Sequence, residues 1–551
     1  MAWSGRCRVI SAGGVLVTAQ MAQALAESAG VCIRPLLRKV TDRATGTVTS
    51  VPIPCGSTRD SRCPACAVKA KRLRMHQCRE GWHLTADPIP APPALDDDKD
   101  QAGDEQAADE DGAAGAGDAD GTGAEDVARR ARSTRRARDA PDLPRVDMDA
   151  RTTGQGFTDP KTGRTYQPSM FVTLTLGSYG RIVPGRGVPA DPGSYDYRRA
   201  ALDALHFPKV VDRWMQNLRR CAGYKVQYFA AVEPQKRLAP HLHAALRGAI
   251  PRATIKAVTR ATYANVWWPA HEHPVYTDRD RAPIWDPAEG CYRCPDTGRP
   301  LRTWQEALDD LDADLVADPS MKPAHTVRLG SQVDVKGLLG GTEDSDRAVR
   351  YLCKYLTKAV ADTYAGDEPD AAYEAHINLL HAEVAVLPCS PECANWLRYG
   401  IQPKDAGPGL APGRCPKKAH DRECLGLGGR RCLVSRAWTG KTLTVHKADR
   451  ADVVRQVLEA AGIEPPQARR AAADVLHTDG RPRYVWEDVP PTERDYAQVI
   501  VASITEQRRW RAQHDHAKTH AAQCGSPPGV PVDNRSASDH ELQSIGGGHS
   551  A

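Results

Sequence analysis

The chain predicts an α+β protein built on an antiparallel sheet with helices on one face. Three observations lead there. Short runs of β-branched residues alternate with segments of helical spacing. Two of the strand-like runs, 226–232 and 241–246, are joined by a Pro-bounded turn short enough for a hairpin. Sixteen cysteines fall mostly in close pairs beside His and Arg, a pattern that favours bound metal over a disulfide scaffold in a chain of 551 residues.

In order, residues 1–85 read as a Cys-rich, basic amino-terminal region. Residues 86–165 read as a linker, with a Pro run, an acidic Gly/Ala tract and an Arg cluster. The tract between Asp96 and Asp126 holds 13 acidic residues and a single Lys, so the remainder is far more basic than the overall net charge of +5. Such a tract buries too little apolar surface to offset its ordering entropy, and it is expected to be a disordered tether. A basic body suits a polyanionic partner, nucleic acid first. A central domain (166–365), a second Cys-containing region (366–515) and a disordered tail (516–551) complete the chain.

Within the central domain, 171–176 reads as a strand ending at Gly177. Residues 202–221 have helical spacing, with Phe207, Val210, Val211, Trp214 and Leu218 on one face. The two hairpin strands follow, then a helix over 253–267, an irregular insertion over 269–322, an extended segment over 324–335 and an amphipathic helix over 346–360. No run approaches the ~18 apolar residues of a membrane span. The mildly apolar run after Arg6 and Arg8 is too short and too broken by Ser11, Gly13 and Gly14 to serve as a signal peptide. A cytoplasmic protein without membrane contact is expected.

The sharpest chemical signal is His241-Leu-His243. Side chains alternate along a strand, so both imidazoles point to one face and form a ready metal clamp. Glu233 ends the preceding strand, and a hairpin could return its carboxylate to the histidines. Two His and one carboxylate leave metal positions open for substrate oxygens. The second signal is Tyr351-Leu-Cys-Lys-Tyr355-Leu-Thr-Lys358. Tyr351 and Tyr355 stand four apart and are expected to share one helix face, each followed three residues later by a lysine, Lys354 or Lys358. A tyrosine nucleophile needs its proton removed and the charge of its target phosphate countered, which nearby Lys and metal can do.

These blocks occur in the order found in HUH endonucleases. The wording of 232–243, 331–337, 350–358, 395–403 and 425–429 resembles replication initiators of actinobacterial plasmids and integrative conjugative elements. The resemblance covers about 30–85 and 165–515. It implies an HUH-type sheet in 166–365, and a metal site completed by Glu233, eight residues before His241. It also implies Mg²⁺ or Mn²⁺ as cofactor and attack by Tyr351 or Tyr355 on single-stranded origin DNA. A 5′-phosphotyrosine link and a free 3′-OH for rolling-circle synthesis would result. The paired tyrosines resemble those of two-tyrosine phage initiators. Gly440-Lys-Thr442 resembles the end of a phosphate loop, but Ser435 stands where that loop needs Gly. A host helicase and a host DNA polymerase are therefore expected as partners.

The cysteines predict structural zinc. Cys63-Pro-Ala-Cys66 is a tight knuckle which Cys55 and Cys32 complete to four thiolates, with His76, Cys78 and His83 as competing ligands. Cys389 and Cys393, with Cys415 and His420, space like a second site, with Cys424 competing. Cys291 and Cys294, near His271 and His273, stay unassigned. Two rival functions remain: a non-enzymatic zinc-ribbon DNA-binding regulator, which leaves the Tyr/Lys repeat idle, and a conjugative relaxase. Relaxases usually carry three histidines and an amino-terminal tyrosine. A mononuclear iron oxygenase would leave the tyrosines without a role.

Overall fold

The protein is seen in a computed structural model, which describes all residues except 1–9, 13–14, 18, 83, 85–86, 90–142, 144–155, 159, 162, 164, 167, 278–280, 341, 362–369, 429–430, 461–475, 491–495 and 524–551. Most of the expected acidic linker lies outside the described residues, as does the expected carboxy-terminal tail from 524 on; residues 516–523, expected in that disordered tail, instead continue helix Tyr496–Gln523. The chain divides into two units. The smaller comprises 1–31, 35–53 and 448–551, the larger 32–34 and 54–447. In the smaller unit, strands Leu36–Asp42, Val48–Ile53 and Tyr484–Asp488 form an antiparallel sheet, and helix Ala19–Ala29 packs on helix Tyr496–Gln523.

The larger unit is organised by a six-stranded antiparallel sheet. Its strands are β1 (Pro168–Leu176), β2 (Tyr228–Pro234), β3 (Pro240–Arg247), β4 (Tyr263–Val266), β5 (His325–Leu339) and β6 (Cys432–Val434). They lie in the order β4-β5-β1-β3-β2-β6, every neighbouring pair antiparallel. The α+β class and the antiparallel sheet are therefore as expected. The helices, however, cover both faces rather than one. The reason is visible in the strands: β2 and β3 are buried along their whole length. Val172, Leu174, Ala230, Val232, Leu242 and Ala244 face the main core. Phe229, Ala231 and Ala245 enter a second core on the opposite face. A strand apolar on both sides needs cover on both.

The main core is closed by α2 (Tyr197–Ala222), α3 (Arg252–Ala261) and α6 (Ala371–Val386). The Asp196 side chain caps α2 by accepting from the Arg199 N–H, and Gly223 ends it in the left-handed region, at φ 68°. The expected face of Phe207, Val210, Val211, Trp214 and Leu218 is buried against the sheet. The opposite face carries α1 (Pro64–Trp82) and α5 (Glu343–Leu352), through Cys78, Trp82, Val349, Leu352 and Cys353, with Trp438 beside them.

Three expected elements differ. The helix expected over 253–267 stops at Ala261, because Tyr263–Val266 pairs with β5 as an edge strand. The expected irregular insertion contains a hairpin, Ile284–Asp286 with Cys291–Arg293, and helix α4 (Trp304–Ala317), which opens with a Thr303/Glu306 capping box. The helix expected over 346–360 is α5. It starts earlier, where Thr342 caps the Ser345 N–H, and ends at Leu352. Past Leu352 the chain continues in turns, the Lys354 N–H donating to the Tyr351 carbonyl and the Lys358 N–H to the Tyr355 carbonyl, three residues back. Arg431 donates to the carbonyls of Tyr355 and Lys358, Arg59 to that of Lys358, and the Asp60 N–H to that of Thr357. Part of the expected linker is packed as well: Asp87 accepts from Arg247 and Gln227. Among the described residues no helix is long and apolar enough to cross a membrane.

Leu218 is fully buried between α2 and the sheet. Leu218→Ala should cost ~2–5 kcal/mol of stability through the cavity it leaves, read as a lower urea midpoint by circular dichroism. An unchanged midpoint would show that α2 does not anchor this core.

Candidate active site

The β2–β3 hairpin builds the site. Its register pairs Glu233 with His241 and Ala231 with His243, while β1 places Thr173 opposite His243. Directly paired residues on neighbouring strands share a face. Glu233, His241, His243 and Thr173 therefore gather on the α5 side of the sheet. All three candidate ligands are buried, with exposures of 1%, 6% and 4%. Their ligand atoms lie within 4.8 Å of one another. His241 Nε2 and His243 Nε2 face each other at 2.7 Å, and Glu233 Oε2 is 3.8 Å from His243 Nε2. Thr173 Oγ1 stands 2.9 Å from His243 Nδ1. With the Nδ1–H donating to that hydroxyl, Nε2 carries the free lone pair.

Burial sets the electrostatics. It pulls His241 down to about 4 and His243 down to about 3, so both imidazoles are neutral. It pushes Glu233 up to about 8, against the opposing charges of Arg431 and Lys354. Glu233 Oε1 and His241 Nδ1 are buried without a hydrogen-bond partner among the described residues. Two neutral imidazoles and a carboxylate in short supply of donors are a donor set that a divalent cation satisfies.

Tyr351 lies over this cluster. Its ring sits 4.9 Å from that of His243 and 6.1 Å from that of Phe171, edge-on to both, and Phe171 stacks on His243 at 5.7 Å. The side chain remains 44% exposed, so it faces both the buried cluster and solvent. Partial burial raises its pKa, with Glu233 and Tyr355 adding to the effect. Tyr355 does not share a helix face with it, since α5 ends at Leu352. Tyr355 instead occupies the turn that follows, with Lys354 Nζ 4.7 Å from the centre of its ring. Lys358 is exposed, and its carbonyl is held by Arg59 and Arg431.

The first cysteine cluster forms as expected. Cys32, Cys55, Cys63 and Cys66 hold their sulfurs within 4.8 Å of one another, with Cys55–Cys66 and Cys32–Cys63 each 3.8 Å apart. Tetrahedral zinc with bonds of about 2.3 Å to sulfur separates its thiolates by about 3.8 Å. The N–H groups of Arg34 and Cys55 donate to Cys32 Sγ. In the second cluster Cys389 and Cys415 are 4.0 Å apart, and Cys393 Sγ is 3.5 Å from His420 Nε2. His420 Nδ1 donates to the Val384 carbonyl, which turns Nε2 inward. The competitors stand apart. Cys78 is in the second core, Cys424 Sγ accepts from Arg59, and His83 lies outside the described residues. Cys291 and Cys294 join no larger ligand group among the described residues. No described cysteine is disulfide-bonded.

Sequence reasoning missed Thr173, Phe171, Arg59, Asp60 and Arg431. The first two were within reach, because alternation along β1 puts them on one face. The others act through backbone carbonyls and leave no sequence signal. Arg59 and Asp60 lie in the loop between Cys55 and Cys63. Besides the Asp60 N–H bond, Asp60 Oδ2 accepts from Thr357 Oγ1 at 2.8 Å. The cysteine loop thereby braces the turn after Tyr351.

Sheet and cluster define an α+β protein that presents a buried two-histidine, one-carboxylate centre beneath a half-exposed tyrosine. The chain belongs to the RepSA family, described as the replication initiator protein of pSAM2, which matches residues 18–523. A curated replication initiator protein of Streptomyces ambofaciens is 27% identical over 239 residues, covering 37% of this chain and 45% of that relative. The chain thus spans less than half the length of this relative. No solved structure matches.

Asp60→Ala should release the turn at Thr357. Hydrogen exchange at 355–359 should accelerate while β1 and β3 remain protected. Unchanged exchange there would remove the brace.

Proposed function

We propose that this protein starts rolling-circle replication of a plasmid or integrated element by nicking single-stranded origin DNA through Tyr351, with an HUH-type active site. The observation that carries this reading is the placement of the Tyr351 ring 4.9 Å from His243, over the buried Glu233/His241/His243 cluster. Membership of a replication initiator family supports the setting.

Glu233, His241 and His243 would hold a divalent ion, Mg²⁺ or Mn²⁺, which supplies positive charge to the oxygens of the scissile phosphate. Thr173 fixes the His243 ring, and burial keeps both imidazoles neutral and able to ligate. Tyr351 Oη forms the new bond to phosphorus as the P–O3′ bond breaks. The products are a 5′-phosphotyrosine and, after protonation, a 3′-OH that primes synthesis. The half-exposed position gives the phenolic proton a path to water. Lys354 and Lys358 bring positive charge to the same turn and to the DNA backbone. The phosphodiester energy is stored in the covalent link, so a second transfer reseals the strand without a nucleotide cofactor. Tyr355 is the candidate for that second transfer. A host helicase and a host polymerase would complete replication in the cytoplasm. The two cysteine clusters would each hold a structural Zn²⁺ and cross-link loops that have little core of their own.

Cleavage of an origin oligonucleotide should vanish in the His241→Ala/His243→Ala double variant with the fold retained, and undiminished cleavage would remove these residues from the chemistry. Thr173→Val should weaken metal affinity by ~10–100-fold, since it frees the His243 ring; equal titration curves would refute that positioning. Tyr351→Phe should abolish the covalent DNA–peptide adduct seen by mass spectrometry, whereas Tyr355→Phe should still form it. The reverse pattern would make Tyr355 the first nucleophile. Elemental analysis of Cys63→Ser should find one zinc fewer per chain than in the wild type. Equal content would return these cysteines to a metal-free role.

A further inference from the structure

We propose that His76, Glu80 and His446 form an additional divalent-metal site of the zinc class, tying α1 to the chain that follows β6. The inference does not depend on the nicking reaction, because none of these residues reaches the Tyr351 cluster.

His76 and Glu80 are four apart on α1 and share a face. His446 comes from a helix beginning at Leu443 and is fully buried against them. The ligand atoms of the three residues lie within 4.8 Å of one another. A single carboxylate oxygen, Glu80 Oε2, faces both imidazoles, at 3.4 Å from His76 Nε2 and 3.2 Å from His446 Nδ1. These separations are long for charge-assisted hydrogen bonds, which run at about 2.7–2.9 Å. They match the spacing of about 3.3 Å between N and O ligands bonded at about 2.0–2.1 Å to one tetrahedral zinc. The same comparison accounts for the sulfur spacings in both cysteine clusters.

The outward-facing atoms of the group are already engaged. Lys441 Nζ donates to the other carboxylate oxygen, Oε1, at 2.7 Å. Thr439 Oγ1 lies 2.8 Å from His446 Nε2. With the Nε2–H donating to that hydroxyl, Nδ1 directs its lone pair toward Glu80 Oε2, and a cation between them would be bound by both. Bonding of the far ring nitrogen and the far carboxylate oxygen is how metal-ligating His and Glu are usually held. Two nitrogens and one oxygen form a borderline donor set that favours Zn²⁺ over Mg²⁺. The His76 and Glu80 side chains are 40% and 27% exposed, so a fourth position opens to solvent.

The test uses the full chain, loaded with Zn²⁺, desalted and counted by elemental analysis. His76→Ala is the informative variant, because His76 is partly exposed and its loss should leave the fold intact. It should bind one zinc fewer than the wild type, and this loss should add to that of Cys63→Ser. Loading with Co²⁺ provides a second readout. The cobalt lost in His76→Ala should show only weak d–d absorption, without the sulfur charge-transfer bands that the cysteine sites give. Equal zinc content in His76→Ala and wild type would overturn the proposal and leave the three residues as a hydrogen-bonded cluster. Retained zinc binding in a chain that does not nick would uphold this site while refuting the Tyr351 reaction.

Discussion

The site depends on the register of one hairpin. Glu233 stands opposite His241, and a slip of one residue would send the carboxylate to the other face of the sheet. Both strands are buried on both sides, so such a slip of β2 would also drive Ala230 and Val232 out of the main core and Glu233 into it. The cost of that exchange locks the register. The apolar packing on the far face therefore holds three polar residues in a place where none would settle unaided.

Much of this was legible in the sequence, and what was not has physical causes. Alternation along a strand put His241 and His243 on one side, and the short turn made the return of Glu233 a matter of geometry. The face of α2 was readable because its apolar residues recur at helical spacing. The end of α5 was not readable. Nothing local stops a helix at Leu352, and the residues that capture the following carbonyls, Arg59 and Arg431, are far away in sequence. Helices on both faces were missed for a related reason: an unbroken apolar run such as 228–232 shows that a strand is buried without showing what covers it. The cysteine clusters were legible through close spacing within each pair, whereas Cys32 and Cys55 lie 23 residues apart and needed the fold to meet. His446 and Glu80 carried no signal, being joined only through the packing of distant segments.

The two tyrosines illustrate how a repeat in sequence can have two different surroundings in the fold. Equal spacing suggested equal roles, yet one side chain lies against His243 and the other follows the helix end. Environment, more than spacing, distinguishes them: Tyr351 is poised above a buried polar cluster, and Tyr355 packs beside Lys354 in a turn whose carbonyl Arg431 secures.

That securing has a consequence for when the site can exist. The carbonyls of Tyr355 and Lys358 are bound by Arg431, which the ribosome adds more than seventy residues after either of them. The next three residues, Cys432–Val434, form the edge strand that completes the sheet beside β2. Contacts of such sequence separation form late. A nascent chain that has emitted both tyrosines, both histidines and Glu233 still lacks the clasp that shapes the turn after Tyr351. Translation order itself thus withholds the finished tyrosine turn until the larger unit is nearly whole.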